Sequence, residues 1–171
     1  MSWTAPTPYP IDGPLVGDDR PILEGFLAWE RSTLLNICAG LNADQLAARP
    51  LASSNLSLLG LVRHLAKVER TWFRQRAAGE HVEPMYDQTL GKDTDFDDLD
   101  ATLAEADFTR LQDEWRLADD AARGLAFDHT VDVGGEVLSL RMIYVHMIGE
   151  YSRHNGHADL LRESIDGATG R

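Results

Sequence analysis

The chain has 171 residues, 43% of them hydrophobic and 26% charged, which is the composition of one folded domain and not of a disordered chain. Its formal charge of −12 repels phosphate backbones and anionic membranes, and no Lys/Arg stripe offsets this, so neither nucleic acid nor a membrane is an expected partner. A single cysteine, Cys38, excludes an internal disulfide and a cysteine-based zinc site.

Residues 1–19 read as an irregular arm, because Pro6, Pro8, Pro10 and Pro14 deny it helix. The arm has no basic-then-apolar leader pattern, and no stretch approaches the roughly 18 apolar residues of a membrane helix. A cytoplasmic protein is the expectation, with residues 20–171 as its one domain.

A first helix is expected from about Arg20 to Gly40. Ile22, Leu23, Phe26, Leu27, Leu34, Ile37 and Leu41 keep helical spacing, interrupted by Glu30. Cys38 lies on that stripe and reads as a buried structural thiol. Asn42-Ala43-Asp44-Gln45 has the form of a capping box, opening a short helix that Pro50 ends.

Ser57 is a suitable N-cap for a second long helix reaching Gly79. Leu58, Leu61, Leu65, Val68 and Trp72 form its apolar stripe, with His64 beside it. Glu80 to Asp100 reads as a polar, aspartate-rich loop. Within it, Asp93-Thr94-Asp95-Phe96-Asp97-Asp98 is similar to a calcium loop, but Asp98 and Ala104 stand where glycine and glutamate are needed. A solvated acidic loop is the expectation.

Thr102-Leu103-Ala104-Glu105 suggests a second capping box. The helix it opens directs Leu111, Trp115, Ala118, Ala122 and Leu125 inward and stops near Gly124. Thr130-Val131-Asp132-Val133 and the following Gly134-Gly135 predict a small hairpin or extended loop. Ser139 caps a last long helix to about Ile165. The pattern predicts an all-α fold, a four-helix bundle with a short extra helix and the small hairpin. Trp29, Trp72 and Trp115 are expected in its core, and His81 and His129 in solvent.

The last helix carries an unusual face. At about 100° per residue, His146, Glu150, His154 and His157 fall within roughly 80° of arc. Ile143, Met147, Ala158 and Leu161 share that face. A carboxylate among apolar neighbours costs several kcal/mol unless a positive group compensates it. Glu150 and His154, four residues apart, stand side by side and fit either a grip on one ion or a structural hydrogen-bond network. For an ion, His64 is the obvious third ligand. Two imidazoles and a carboxylate suit Zn²⁺, Ni²⁺, Fe²⁺ or Mn²⁺, zinc being the first expectation, and leave a position for water or substrate. His157 reads as a rim residue, a further ligand or a proton shuttle, and His146 as a hydrogen-bonded residue of the bundle.

Two segments resemble a known group. Asn55-Leu56-Ser57-Leu58-Leu59-Gly60-Leu61-Val62-Arg63-His64-Leu65 resembles the second-helix motif of the DinB/YfiT-like superfamily, and His146 to His157 resembles its final-helix motif. The resemblance runs from the Trp29-Glu30-Arg31 neighbourhood to Arg162. It implies a bundle, often dimeric, with one divalent metal on three residues, which by position are His64, Glu150 and His154. Glu150 stands where most members have histidine. The same His, Glu and His set occurs in the mycothiol-dependent maleylpyruvate isomerases, the branch this chain most resembles.

Those isomerases carry a further C-terminal domain with a catalytic arginine; with the sequence ending at Arg171, that domain is not expected here. The resemblance therefore implies a mycothiol-type thiol S-transferase acting on an electrophilic small molecule, rather than an isomerase. A metal-dependent hydrolase and a non-catalytic, metal-binding stress-response bundle are the alternatives. No Gly-rich phosphate loop and no G-x-S-x-G elbow supports nucleotide binding or serine hydrolysis.

Overall fold

A computed structural model describes residues 3–9, 11–91 and 93–169; Pro10, expected in the irregular arm, lies outside the described residues. Helix α1 (Asp19–Cys38) opens with Asp19 in its first turn, where an acid complements the dipole and Pro21 leaves no needed N–H unpaired. Gly40, at φ +78°, turns the chain into α2 (Ala43–Ala47). The predicted capping box forms there: Asn42 Oδ1 accepts from the Gln45 N–H at 2.9 Å, and Gln45 Oε1 accepts from the Asn42 N–H at 3.0 Å. This helix ends at Ala47, short of Pro50.

Ser57 caps α3 (Leu58–Glu69), its Oγ accepting from the Gly60 N–H at 3.0 Å. The helix continues as a π-helical segment, Arg70–Ala77, before Gly79 at φ +67° ends it. The acidic stretch is not a solvated loop. Residues Thr94–Asp97 form a short helix, α4, in which Thr94, Asp95 and Phe96 are buried. Phe96 lies against α3 where Gly60 leaves room: a Cβ on Gly60 would stand 2.9 Å from Phe96 Cδ1.

The expected box at Thr102 and Glu105 does not form. Asp100 takes its place, its Oδ1 accepting from the Thr102 N–H at 2.9 Å and so capping a 3₁₀ turn, Ala101–Leu103. Helix α5 (Ala104–Arg123) follows directly. Strands β1 (Thr130–Val133) and β2 (Glu136–Ser139) pair antiparallel, Val133 opposite Glu136, across the two-residue Gly134-Gly135 turn. Both glycines have positive φ, which that tight turn demands. Ser139 then caps α6 (Leu140–Asp166), which stops at left-handed Gly167.

Helix α1 packs along α6, and α3 along α5, around a core that includes Leu27, Leu34, Leu65, Leu111, Met147 and Leu161. The arm is irregular yet held. Ala5 is buried, its N–H bonds the Leu41 carbonyl at 2.9 Å, and Trp3 packs edge-on against Phe108. Trp29 corrects the core expectation, since its position on α1 faces outward and leaves it 47% exposed. Trp72 and Trp115 pack only partly into the core. Cys38 is fully buried, and burial pushes its thiol up to about 12, so it is not a nucleophile at neutral pH. His81 is exposed, whereas His129 is half-buried, its Nε2 3.3 Å from the Ala77 carbonyl. Among the described residues no helix is long and apolar enough to cross a membrane.

Candidate metal centre

Three side chains from two helices converge. His64 comes from the middle of α3, and Glu150 and His154 from successive turns of α6; one nitrogen or oxygen of each lies within 4.8 Å of the other two. His154 Nε2 is 3.5 Å from Glu150 Oε2, and the His64 and His154 rings meet edge-on with centroids 4.7 Å apart. Between 11% and 19% of each side chain remains exposed, enough for a small molecule to reach the group but not for bulk water to surround it.

Burial first, and then the neighbouring His64, lower the His154 pKa to about 4, so its imidazole is neutral at pH 7. Nδ1 of His64 lies 2.7 Å from Asp95 Oδ2, which fixes the proton on Nδ1 and leaves the Nε2 lone pair for a ligand bond. Imidazole nitrogens and a carboxylate facing one point are what a borderline divalent cation takes. The group could therefore hold a metal ion.

Asp95 was missed by sequence reasoning. It is 1% exposed and is also held by Lys67 Nζ at 2.6 Å. Burial raises its pKa, but the bonds from His64 and Lys67 outweigh that and hold it below the ordinary carboxylate range. The available signal was Phe96: an aromatic inside an acidic run has to be covered by something. Here it stacks on His64, centroids 5.0 Å apart, and brings the adjacent Asp95 with it.

The other two histidines of α6 flank the group without joining it. His157 Nδ1 sits 3.4 Å from His154 Nδ1, at the rim. His146 Nε2 is 3.9 Å from Glu150 Oε1 and packs on Trp72; burial lowers its pKa against the pull of Glu150. Arg153 Nη1 reaches Glu150 Oε1 at 3.3 Å from the solvent side. A cavity of about 400 Å³ adjoins the centre, walled by Asp95 and Lys67.

The Mycothiol-S-transferase family model matches residues 22–167, a span that contains both converging helices and Asp95. No curated protein and no solved structure matches the chain. The family is DinB-like, in agreement with the resemblance carried by the second-helix and final-helix motifs. The chain belongs to the mycothiol S-transferase family.

Proposed function

We propose that this protein is a metal-dependent S-transferase that joins mycothiol to an electrophilic small molecule, with one divalent ion held by His64, Glu150 and His154. The observation that carries the reading is the convergence of those three side chains, one ligand atom each within 4.8 Å, in a chain of this family. Zinc fits the set best, with nickel, iron or manganese as lesser fits. When bound, such an ion lowers the pKa of a coordinated thiol, supplying a thiolate nucleophile at neutral pH.

The chain's own residues prepare that site. Asp95 holds the Nδ1 proton of His64, so that Nε2 stays aimed at the centre. Phe96 covers the His64 ring and keeps water from that side. His157, at the rim beside His154, is placed to take the proton that the thiol releases. The four long helices form a four-helix bundle of the DinB type over residues 20–171, and the working form is a cytoplasmic homodimer.

Elemental analysis tests the site, with about one ion per chain expected and a sharp loss in each of His64→Ala, Glu150→Ala and His154→Ala. Full occupancy in His64→Ala under chelator competition would refute the three-ligand centre. Consumption of mycothiol with an activated alkyl halide, abolished by chelator, tests the reaction. Chelator-sensitive ester cleavage without thiol consumption would favour the hydrolase, and silence in both assays the non-catalytic bundle.

A further inference from the structure

The cavity beside the centre has a lining that selects a ligand class. It measures about 400 Å³, within the range of small-molecule sites, and its walls include Lys67, Arg70, Thr71, Gln75, Met85 and Asp95. Lys67 lies three residues after His64, on the same side of α3, so the cavity begins one helical turn from the proposed metal ligand. Asp95 belongs to both, bonding His64 on one side and lining the cavity on the other.

Each cation in this wall already has its counter-ion. Lys67 is paired with Asp95 at 2.6 Å, and Arg70 with the buried Glu114 through Nε at 3.0 Å and Nη2 at 2.5 Å. What remains open is neutral. The Thr71 hydroxyl has no hydrogen-bond partner among the described residues, and Gln75 spends its amide N–H on the Val82 carbonyl at 3.3 Å, leaving its own oxygen free. Met85 supplies an apolar patch in the same wall. Among the described residues a charged ligand finds no unpaired opposite charge here, and the acidic protein repels anions as a whole.

We propose that this cavity binds the uncharged, polyhydroxylated body of the thiol substrate, with Thr71 and Gln75 as its hydrogen-bonding residues. This rests on the transferase reading for the identity of the thiol. Mycothiol is an acylated cysteine on an amino-sugar glycoside of inositol, a surface of neutral hydroxyls that matches such a wall. Glutathione, with two carboxylates, does not.

The test separates the cavity from the metal by using the S-methyl derivative of mycothiol, whose sulfur cannot become a thiolate. Calorimetric titration into the metal-loaded protein should show binding that Thr71→Val, which removes only the hydroxyl, weakens about five- to tenfold. Thr71→Trp, which fills the cavity, should abolish it. Removing the metal with chelator should change that affinity far less than Thr71→Val does, because a thioether is only a weak ligand for a borderline divalent ion. Circular dichroism melts confirm that each variant is folded. Binding of the blocked thiol in a protein that consumes no thiol supports the cavity assignment and overturns the transferase reading alone. Unchanged binding in both Thr71 variants, no binding by the wild type, or equal affinity for S-methyl glutathione would overturn the cavity assignment.

Discussion

Helices α3 and α6 each carry two kinds of buried polar group, and the two clusters they build differ in their balance. In the first, Glu69 of α3 takes a two-pronged bond from Arg31, 2.7 and 2.8 Å, and a third bond from the Tyr151 hydroxyl of α6 at 2.9 Å. Trp115 donates to that hydroxyl at 2.6 Å, and Asp119 binds the far side of Arg31 at 2.8 Å. Burial works against the Arg31 charge, and Glu69 more than compensates it. Every strong donor there faces an acceptor. In the second cluster, around His64, Glu150 and His154, two imidazoles and a carboxylate face one another, and Arg153 reaches Glu150 from the solvent side. A closed polar cluster holds a fold together; an open one of lone pairs is fit to receive something.

The sharpest way to break this contrast is to unbalance the closed cluster. Arg31→Leu leaves Glu69 fully buried without its counter-ion, and should cost about 3–5 kcal/mol in urea unfolding. Glu150→Gln in metal-free protein should cost about 1 kcal/mol or less, since no buried counter-ion depends on it. Equal losses would mean that both clusters are structural. The open cluster should instead respond to metal. Loading with zinc should stabilise the protein by roughly 1–4 kcal/mol, read as a higher melting temperature than verified metal-free protein. Identical melts would place any bound ion at the surface.

Acid separates the clusters further. In metal-free protein the folded His154 titrates at about 4, below its ordinary 6.5. Between these values the unfolded chain binds the proton and the folded chain does not. Stability is thus fully present above pH 6.5 and falls as pH drops toward 4, by up to about 3 kcal/mol. His154→Gln should flatten that slope in chelator-treated samples, and an unchanged slope would trace it to other groups.

The long helices, their Ser57 and Ser139 caps and the glycine turn of the hairpin were legible because each rests on local chemistry. So was the group on α6, since four-residue spacing alone makes Glu150 and His154 neighbours. What sequence could not display were partners from distant segments. Glu30 appeared only as an interruption of an apolar stripe, yet it accepts from Ser152 Oγ and Asn155 Nδ2, both at 2.7 Å. Arg31 and Glu69, 38 residues apart, have no periodicity to link them. Asp95 was hidden among identical neighbours, and local composition favoured solvent for all of them. The capping box at Thr102 failed for a related reason: Asp100 offered a competing acceptor two residues earlier.

The smallest effect expected is also the most specific, because it acts on the centre from a residue that touches no ligand. Gly60 sits on α3, one turn before His64, and Phe96 of α4 lies against the space its missing Cβ leaves. In Gly60→Ala the new methyl would stand 2.9 Å from Phe96 Cδ1 and 3.1 Å from Ser57 Oγ, so the α4 segment has to shift outward. Phe96 and Asp95 move together, and the bond that fixes the His64 proton lengthens. Asp95→Asn removes the carboxylate without moving α4 and should lower metal affinity by about 10- to 100-fold. Gly60→Ala should reproduce the lower end of that range, about tenfold, with all three proposed ligands intact. Chelator competition measures both, and the visible spectrum of cobalt-loaded protein reports whether His64 still ligates in the same geometry. A Gly60→Ala protein that melts lower but binds metal with wild-type affinity would show that α4 supports the fold and leaves the tautomer of His64 to be set by the centre itself.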